Sequence, residues 1–115
     1  MKHRDFTDYI NDILSSIEEV SEFTSGMSPD EFMKDKKTVN AVIRSLEVLG
    51  EAARKVPDDL RIKAPHVPWK KMTGMRNKLI HEYFGVDLDI VWTVIKEELP
   101  PLSSPLKKLL AETIE

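Results

Sequence analysis

The sequence predicts an all-α protein, an up-and-down bundle of four or five helices forming one domain over residues 1–115. Apolar residues recur at three-and-four spacing along most of the chain, and most prolines and glycines fall where those stretches begin or end. The length also suits a single core, since a domain of this size buries roughly two thirds of the surface its unfolded chain exposes.

The first helix is expected from Asp5 to about Phe23, with Phe6, Ile10, Ile13, Ile17 and Val20 lining one face. Ser25-Gly26-Met27 breaks it. Ser28-Pro29-Asp30-Glu31 then has an N-cap serine, a first-turn proline and a capping-box glutamate, so a second helix starts there. The pattern leaves open whether that helix runs unbroken through Asp35-Lys36-Lys37. From Thr38 onward Val39, Val42, Ile43, Leu46, Leu49, Ala53 and Val56 form another apolar stripe. Gly50 lies within it. A mid-helix glycine costs roughly 1 kcal/mol relative to alanine, so its place on a buried face predicts close approach by a neighbouring helix.

After Pro57 a connecting region with Pro65 and Pro68 leads to a third main helix, Trp69 to His81, with Pro68 near its first turn and Gly85 as its terminator. Asp87 is a candidate cap for a fourth helix carrying Val91, Val94, Ile95 and Leu99. Pro100-Pro101 separates this from a last helix with Leu102, Leu106, Leu109 and Leu110.

Composition narrows the chemistry. Hydrophobic residues at 41% and charged residues at 32% are ordinary for a folded soluble protein. With no cysteine there is no disulfide framework, no thiolate metal site and no cysteine nucleophile. The N-terminus leads into an amphipathic, acidic stretch rather than an apolar run, so neither a signal peptide nor a transmembrane helix is expected, and the protein is expected to reside in the cytoplasm. His3 and His66 lack metal-ligand company, and HExxH, P-loop and paired-aspartate motifs are absent, so no cofactor is expected.

The net charge of −3 argues at first against a nucleic-acid partner. It conceals an asymmetry, however. Residues 1–35 carry three basic and nine acidic side chains, whereas residues 54–81 carry eight basic ones (Arg54, Lys55, Arg61, Lys63, Lys70, Lys71, Arg76, Lys78) against Asp58 and Asp59. Such a segment is either a set of solvated helix faces or the footprint of an anionic ligand.

At about 100° per residue, Arg76 falls among Trp69, Met72, Leu79, Ile80 and Tyr83 on the third main helix. A guanidinium inside an apolar stripe is a snorkelling or structurally paired arginine, or it lines a cleft, binds an anion or meets a second subunit. Asn77 and His81 share a face roughly 100° and 140° around the axis from Arg76. Histidine is the natural acid or base near neutral pH, and arginine offers a rigid fork matched to phosphate oxygens, so the set suits a phosphodiester. An angle of about 140° is wide for two side chains to meet at one phosphorus. Either the helix unwinds near His81, or two copies of it face each other across a symmetric dimer.

The segment Pro68-Trp69-Lys70-Lys71-Met72-Thr73-Gly74-Met75-Arg76-Asn77-Lys78-Leu79-Ile80-His81-Glu82-Tyr83-Phe84-Gly85 resembles the motif region of HepT-type proteins in the HEPN superfamily. The family pattern, an Arg and a His separated by four residues and then a Tyr two positions on, is met at Arg76, His81 and Tyr83. The resemblance extends to the length, the helix order and the stretch Leu46-Glu47-Val48-Leu49-Gly50-Glu51-Ala52-Ala53.

What the resemblance implies is a metal-independent endoribonuclease that acts as a homodimer, the toxin of a toxin–antitoxin pair. Arg76 and His81 would be catalytic, with Asn77 orienting the phosphate or the imidazole. A small nucleotidyltransferase antitoxin would silence the enzyme by transferring AMP from ATP to Tyr83. Lys78 is a possible supporting residue, as are Glu47 and Glu51, which with Asn40 and Arg44 either orient the site or simply stabilise the fold. The alternatives are a catalytically silent HEPN bundle that binds a nucleotide or assists a nucleotidyltransferase, and a purely structural dimerisation module.

Overall fold

The structure is a computed structural model that describes residues 6–81 and 87–114, with side chains described for 6–75 and 87–112. Among the described residues the chain is all-α. Four long helices dominate it: α1 (Phe6–Phe23), α3 (Lys36–Lys55), α5 (Trp69–His81) and α7 (Ser103–Ile114). Three short ones, α2 (Pro29–Lys34), α4 (Asp58–Arg61) and α6 (Leu88–Thr93), join them. The long helix α3 is central, packed against α1 on one part of its surface and α5 on another, while α7 packs on α1.

Local rules explain most boundaries. Gly26 has φ +77°, the left-handed conformation that glycine adopts without penalty, and it ends the turn after α1. The capping box at α2 is complete: Glu31 N donates to Ser28 Oγ at 3.2 Å, and Ser28 N donates to Glu31 Oε1 at 2.9 Å. At Asp35 the question left open by the sequence is resolved by a break. Asp35 ends α2 and caps α3, its Oδ1 accepting from Thr38 N at 3.1 Å.

That bond from the Thr38 backbone, reinforced by the Thr38 hydroxyl, holds the Asp35 carboxyl below its ordinary value. A lowered folded-state value means the cap stabilises above the unfolded carboxyl's pKa and is lost as pH falls through the folded one. Asp35→Ala is therefore expected to lower the melting temperature at pH 7. The gap from wild type should narrow as the pH falls below the ordinary carboxylate range and the wild-type carboxyl takes up its proton too. An unchanged gap across that range would contradict this account of the cap.

The core runs through the three-and-four stripes. Ile10, Ile13 and Val20 of α1 meet Val42, Leu46 and Leu49 of α3, with Leu106 and Leu109 of α7 closing the same cluster, all essentially inaccessible to solvent. Phe32 is fully buried, its ring centroid 5.3 Å from that of Trp92.

Two segments depart from the expected outline. The region after Pro57 holds the short helix α4, because Pro57 suits a helix start and Leu60 is buried there. Asp87 does cap α6, accepting from Asp89 N at 2.9 Å and Ile90 N at 3.4 Å. Beyond Thr93 that helix widens over Val94–Glu98, where Leu99 N donates to Val94 O five residues back at 2.9 Å. Pro100-Pro101 then forms a tight three-residue turn that includes Leu102 and leads directly into α7 at Ser103. Among the described residues no helix is long and apolar enough to cross a membrane.

Candidate functional site

The motif helix is held by its first turn. Trp69 is 7% exposed and its Nε1 donates to Ala64 O at 3.0 Å, which fixes α5 to the loop before it. Over the indole ring lies the Arg61 guanidinium, 5.8 Å from the centroid. Arg61 also donates to the carbonyls of Ala53 at 2.8 Å, Val56 at 3.0 Å and Arg54 at 3.3 Å. Those carbonyls lie at the C-terminal end of α3, where helix oxygens lack intrahelical donors. One arginine thus closes α3 and covers the start of α5.

This clamp sets the register of the site. The two helices are joined by a short connector, pack along their length and meet at Ala53 and Trp69, so they run antiparallel. At about 1.5 Å per residue, Met72 comes level with about Gly50, Arg76 with about Leu46 and Glu47, and His81 with about Ala41. Gly50 is buried at about that level.

Of the predicted site residues, Arg76, Asn77, Lys78 and His81 lie on α5, whose backbone is helical through His81; their side chains are outside the described set. Tyr83 and Gly85 lie outside the described residues altogether. Trp69 and Met72, which flank the angular position of Arg76, are both buried. On the helix backbone, position 76 lies at nearly the same angle as these two. Thr73 sits one turn earlier, and its Oγ1 is shielded from solvent without a hydrogen-bond partner.

The supporting candidates separate. Glu47 is half-buried and about level with Arg76. Glu51 lies about one turn away, where it accepts from Arg54 at 2.6 Å and approaches Lys55 at 3.9 Å. The Glu51 hydrogen bond raises the Arg54 pKa further above its ordinary value.

Much of the basic segment is likewise engaged within the chain. Arg54 and Lys55 meet Glu51, Lys71 pairs with Glu98, and Arg61 serves the α3 carbonyls. Lys63 and Lys70 are exposed. Charge counting along the sequence missed the role of Arg61, because the carbonyls it satisfies become orphans only once α3 ends. Among the described residues no group of three or more His, Cys, Asp or Glu is placed to hold a metal ion.

The family profile described as Ribonuclease HepT-like matches residues 13–109. A Thermococcus cleftensis protein provisionally named ribonuclease HepT is 45% identical over 106 residues, covering 92% of this chain and 96% of its own length. Two Methanocaldococcus jannaschii proteins carry provisional RNase names. One is 44% identical over 115 residues, covering all of this chain and 99% of its own, and the other is 47% identical over 100 residues, covering 87% and 83%. No solved structure gives a significant match. With an all-α bundle, the Arg76, His81 and Tyr83 pattern and a family match spanning both helices of the α3–α5 pair, the chain belongs to the ribonuclease HepT-like family of the HEPN superfamily.

Proposed function

We propose that this protein is a metal-independent endoribonuclease toxin, built as a homodimer in which the α5 motifs of two copies form the cleavage site. The observation that carries the reading is the continuity of α5 through His81. A helix that has not unwound keeps positions 76 and 81 about 140° apart, so one copy does not present both to one phosphorus. Two copies related by a dyad do, with Arg76 from one and His81 from the other. RNase names on relatives matched over nearly their whole length support RNA as the substrate.

In this site the ribose 2′-oxygen attacks the adjacent phosphorus and the bond to the 5′-oxygen breaks. The 2′-hydroxyl proton leaves to a base and the 5′-oxygen gains a proton, giving a 2′,3′-cyclic phosphate and a 5′-hydroxyl. His81 handles a proton, Arg76 stabilises charge on the phosphoryl oxygens, and Asn77 orients the phosphate. DNA, lacking the 2′-hydroxyl, is spared.

Silencing is assigned to Tyr83, two residues past His81, as the acceptor of AMP from a nucleotidyltransferase antitoxin using ATP. The added phosphodiester places bulk and negative charge where RNA would bind and competes for Arg76. The test is digestion of a defined RNA by the purified, unmodified protein in EDTA, beside protein preincubated with that antitoxin and ATP. Cutting that survives EDTA, leaves cyclic phosphate ends and disappears with a mass gain at Tyr83 supports the whole reading. Intact RNA from several sources would point instead to a silent bundle that binds nucleotide.

A further inference from the structure

The exposed face of α5 holds a glycine that the fold does not require. Gly74 is inside the helix, exposed, and not in the left-handed region, and among the described residues a Cβ built on it meets nothing within 4 Å. Alanine would favour the helix there and would clash with nothing. Among the described residues, neither an unusual backbone angle nor a packed neighbour explains it. A remaining physical reason for a bare helix surface is close approach by something outside the chain.

The register says what else lies on that face. Lys70, Gly74, Asn77 and His81 are four, three and four residues apart and fall within an arc of about 60°. Lys70 is exposed, whereas its neighbour Lys71 is paired with Glu98. Lys78 borders the same arc. We propose that Lys70 and Gly74 form a phosphate subsite, about three and two turns before His81 respectively, that seats the RNA backbone against the bare surface of α5. Lys70 pairs with a flanking phosphate, and Gly74 lets the sugar–phosphate chain lie close to the helix. From Gly74 to His81 is about 10 Å along the axis, so the subsite holds nucleotides next to the scissile bond rather than the bond itself. The exposed Lys70 gives this arc a positive charge that the sugar–phosphate backbone of an RNA strand neutralises.

The inference rests on the RNase reading, and its test keeps the two apart. Gly74→Ala, Gly74→Leu and Lys70→Ala are measured for melting temperature, for steady-state cleavage and, in a His81→Ala background, for affinity toward a labelled single-stranded RNA. Gly74→Ala is expected to raise the melting temperature by about 2–6 °C while raising KM. Gly74→Leu is expected to weaken RNA binding at least ~10-fold, with kcat changing less than KM. Lys70→Ala should weaken binding several-fold and reduce the slope of log affinity against log salt by about 0.7, the share of one phosphate contact on a single strand. Wild-type affinity in Gly74→Leu, or a fall in melting temperature for Gly74→Ala, overturns the subsite while leaving the RNase intact. Loss of binding in Gly74→Leu that sedimentation traces to dissociated dimers overturns it too, in favour of a subunit contact. A wild-type protein that neither binds nor cuts RNA removes the RNase reading itself.

Discussion

Replacing His81 with alanine is expected to cut the rate of RNA cleavage by about 10²–10⁴-fold, the usual contribution of a positioned acid or base. Folding should be unaffected to within about 0.5 kcal/mol, provided that the imidazole serves substrate rather than the core. The loss should fall on kcat, since His81 moves a proton in the transition state, while RNA affinity stays near that of wild type. Arg76→Ala should also lose cleavage, but with weaker RNA binding, because a guanidinium on a phosphate contributes before the reaction as well as during it. A His81→Ala protein that cuts RNA at the wild-type rate would remove the histidine from the mechanism.

The largest effect on stability is expected at Trp69. Trp69→Ala deletes a buried indole, its hydrogen bond to Ala64 and the surface on which Arg61 lies, and should cost about 3–5 kcal/mol. That is a large share of the 5–15 kcal/mol that ordinarily separates folded from unfolded domains. Arg61→Ala should cost about 2 kcal/mol by removing the donor to Val56 O and Arg54 O and the second donor to Ala53 O, which keeps its bond from Val56 N. Because both changes release the same junction, the double variant should cost less than the sum. Urea denaturation measures all three, and strict additivity would mean that the clamp is two independent contacts.

How legible the fold was depended on the range of the forces involved. Gly26, the Ser28–Glu31 box and the Asp87 cap obey rules that act over three or four residues, and each was visible in the sequence. The stripes of α1, α3 and α7 follow from the same short periods. By contrast, α4 depends on burying Leu60 in a core assembled from distant segments. The widened turn at Val94–Glu98 depends on how a helix running into Pro100-Pro101 satisfies its last groups. Asp35 was ambiguous because the lysines that follow it suit either a continuing helix or a new first turn.

The site was legible as a pattern rather than as a shape. Spacing alone placed position 76 on a face with Trp69 and Met72, and both are buried. It could not separate Glu47 from Glu51, since that distinction comes from the antiparallel register set by Arg61. It also counted Arg61, Arg54 and Lys71 only as members of a basic segment, when each has a partner fixed by tertiary structure or by a neighbouring turn. Gly74 looked like one more motif residue until the space around it was known.

The central claim, that two copies of α5 share one cleavage site, is tested most directly by complementation in trans. Purified Arg76→Ala and His81→Ala proteins should each be nearly inactive. Mixed under conditions where subunits exchange, they form dimers in which one site draws an intact arginine from one copy and an intact histidine from the other. With random pairing, half the dimers are mixed and half their sites are whole, so activity should recover to about a quarter of the wild-type rate. Recovery near that level is the result the account predicts. A mixture that stays inactive after exchange has been demonstrated would contradict it, since Arg76 and His81 would then have to act from the same chain.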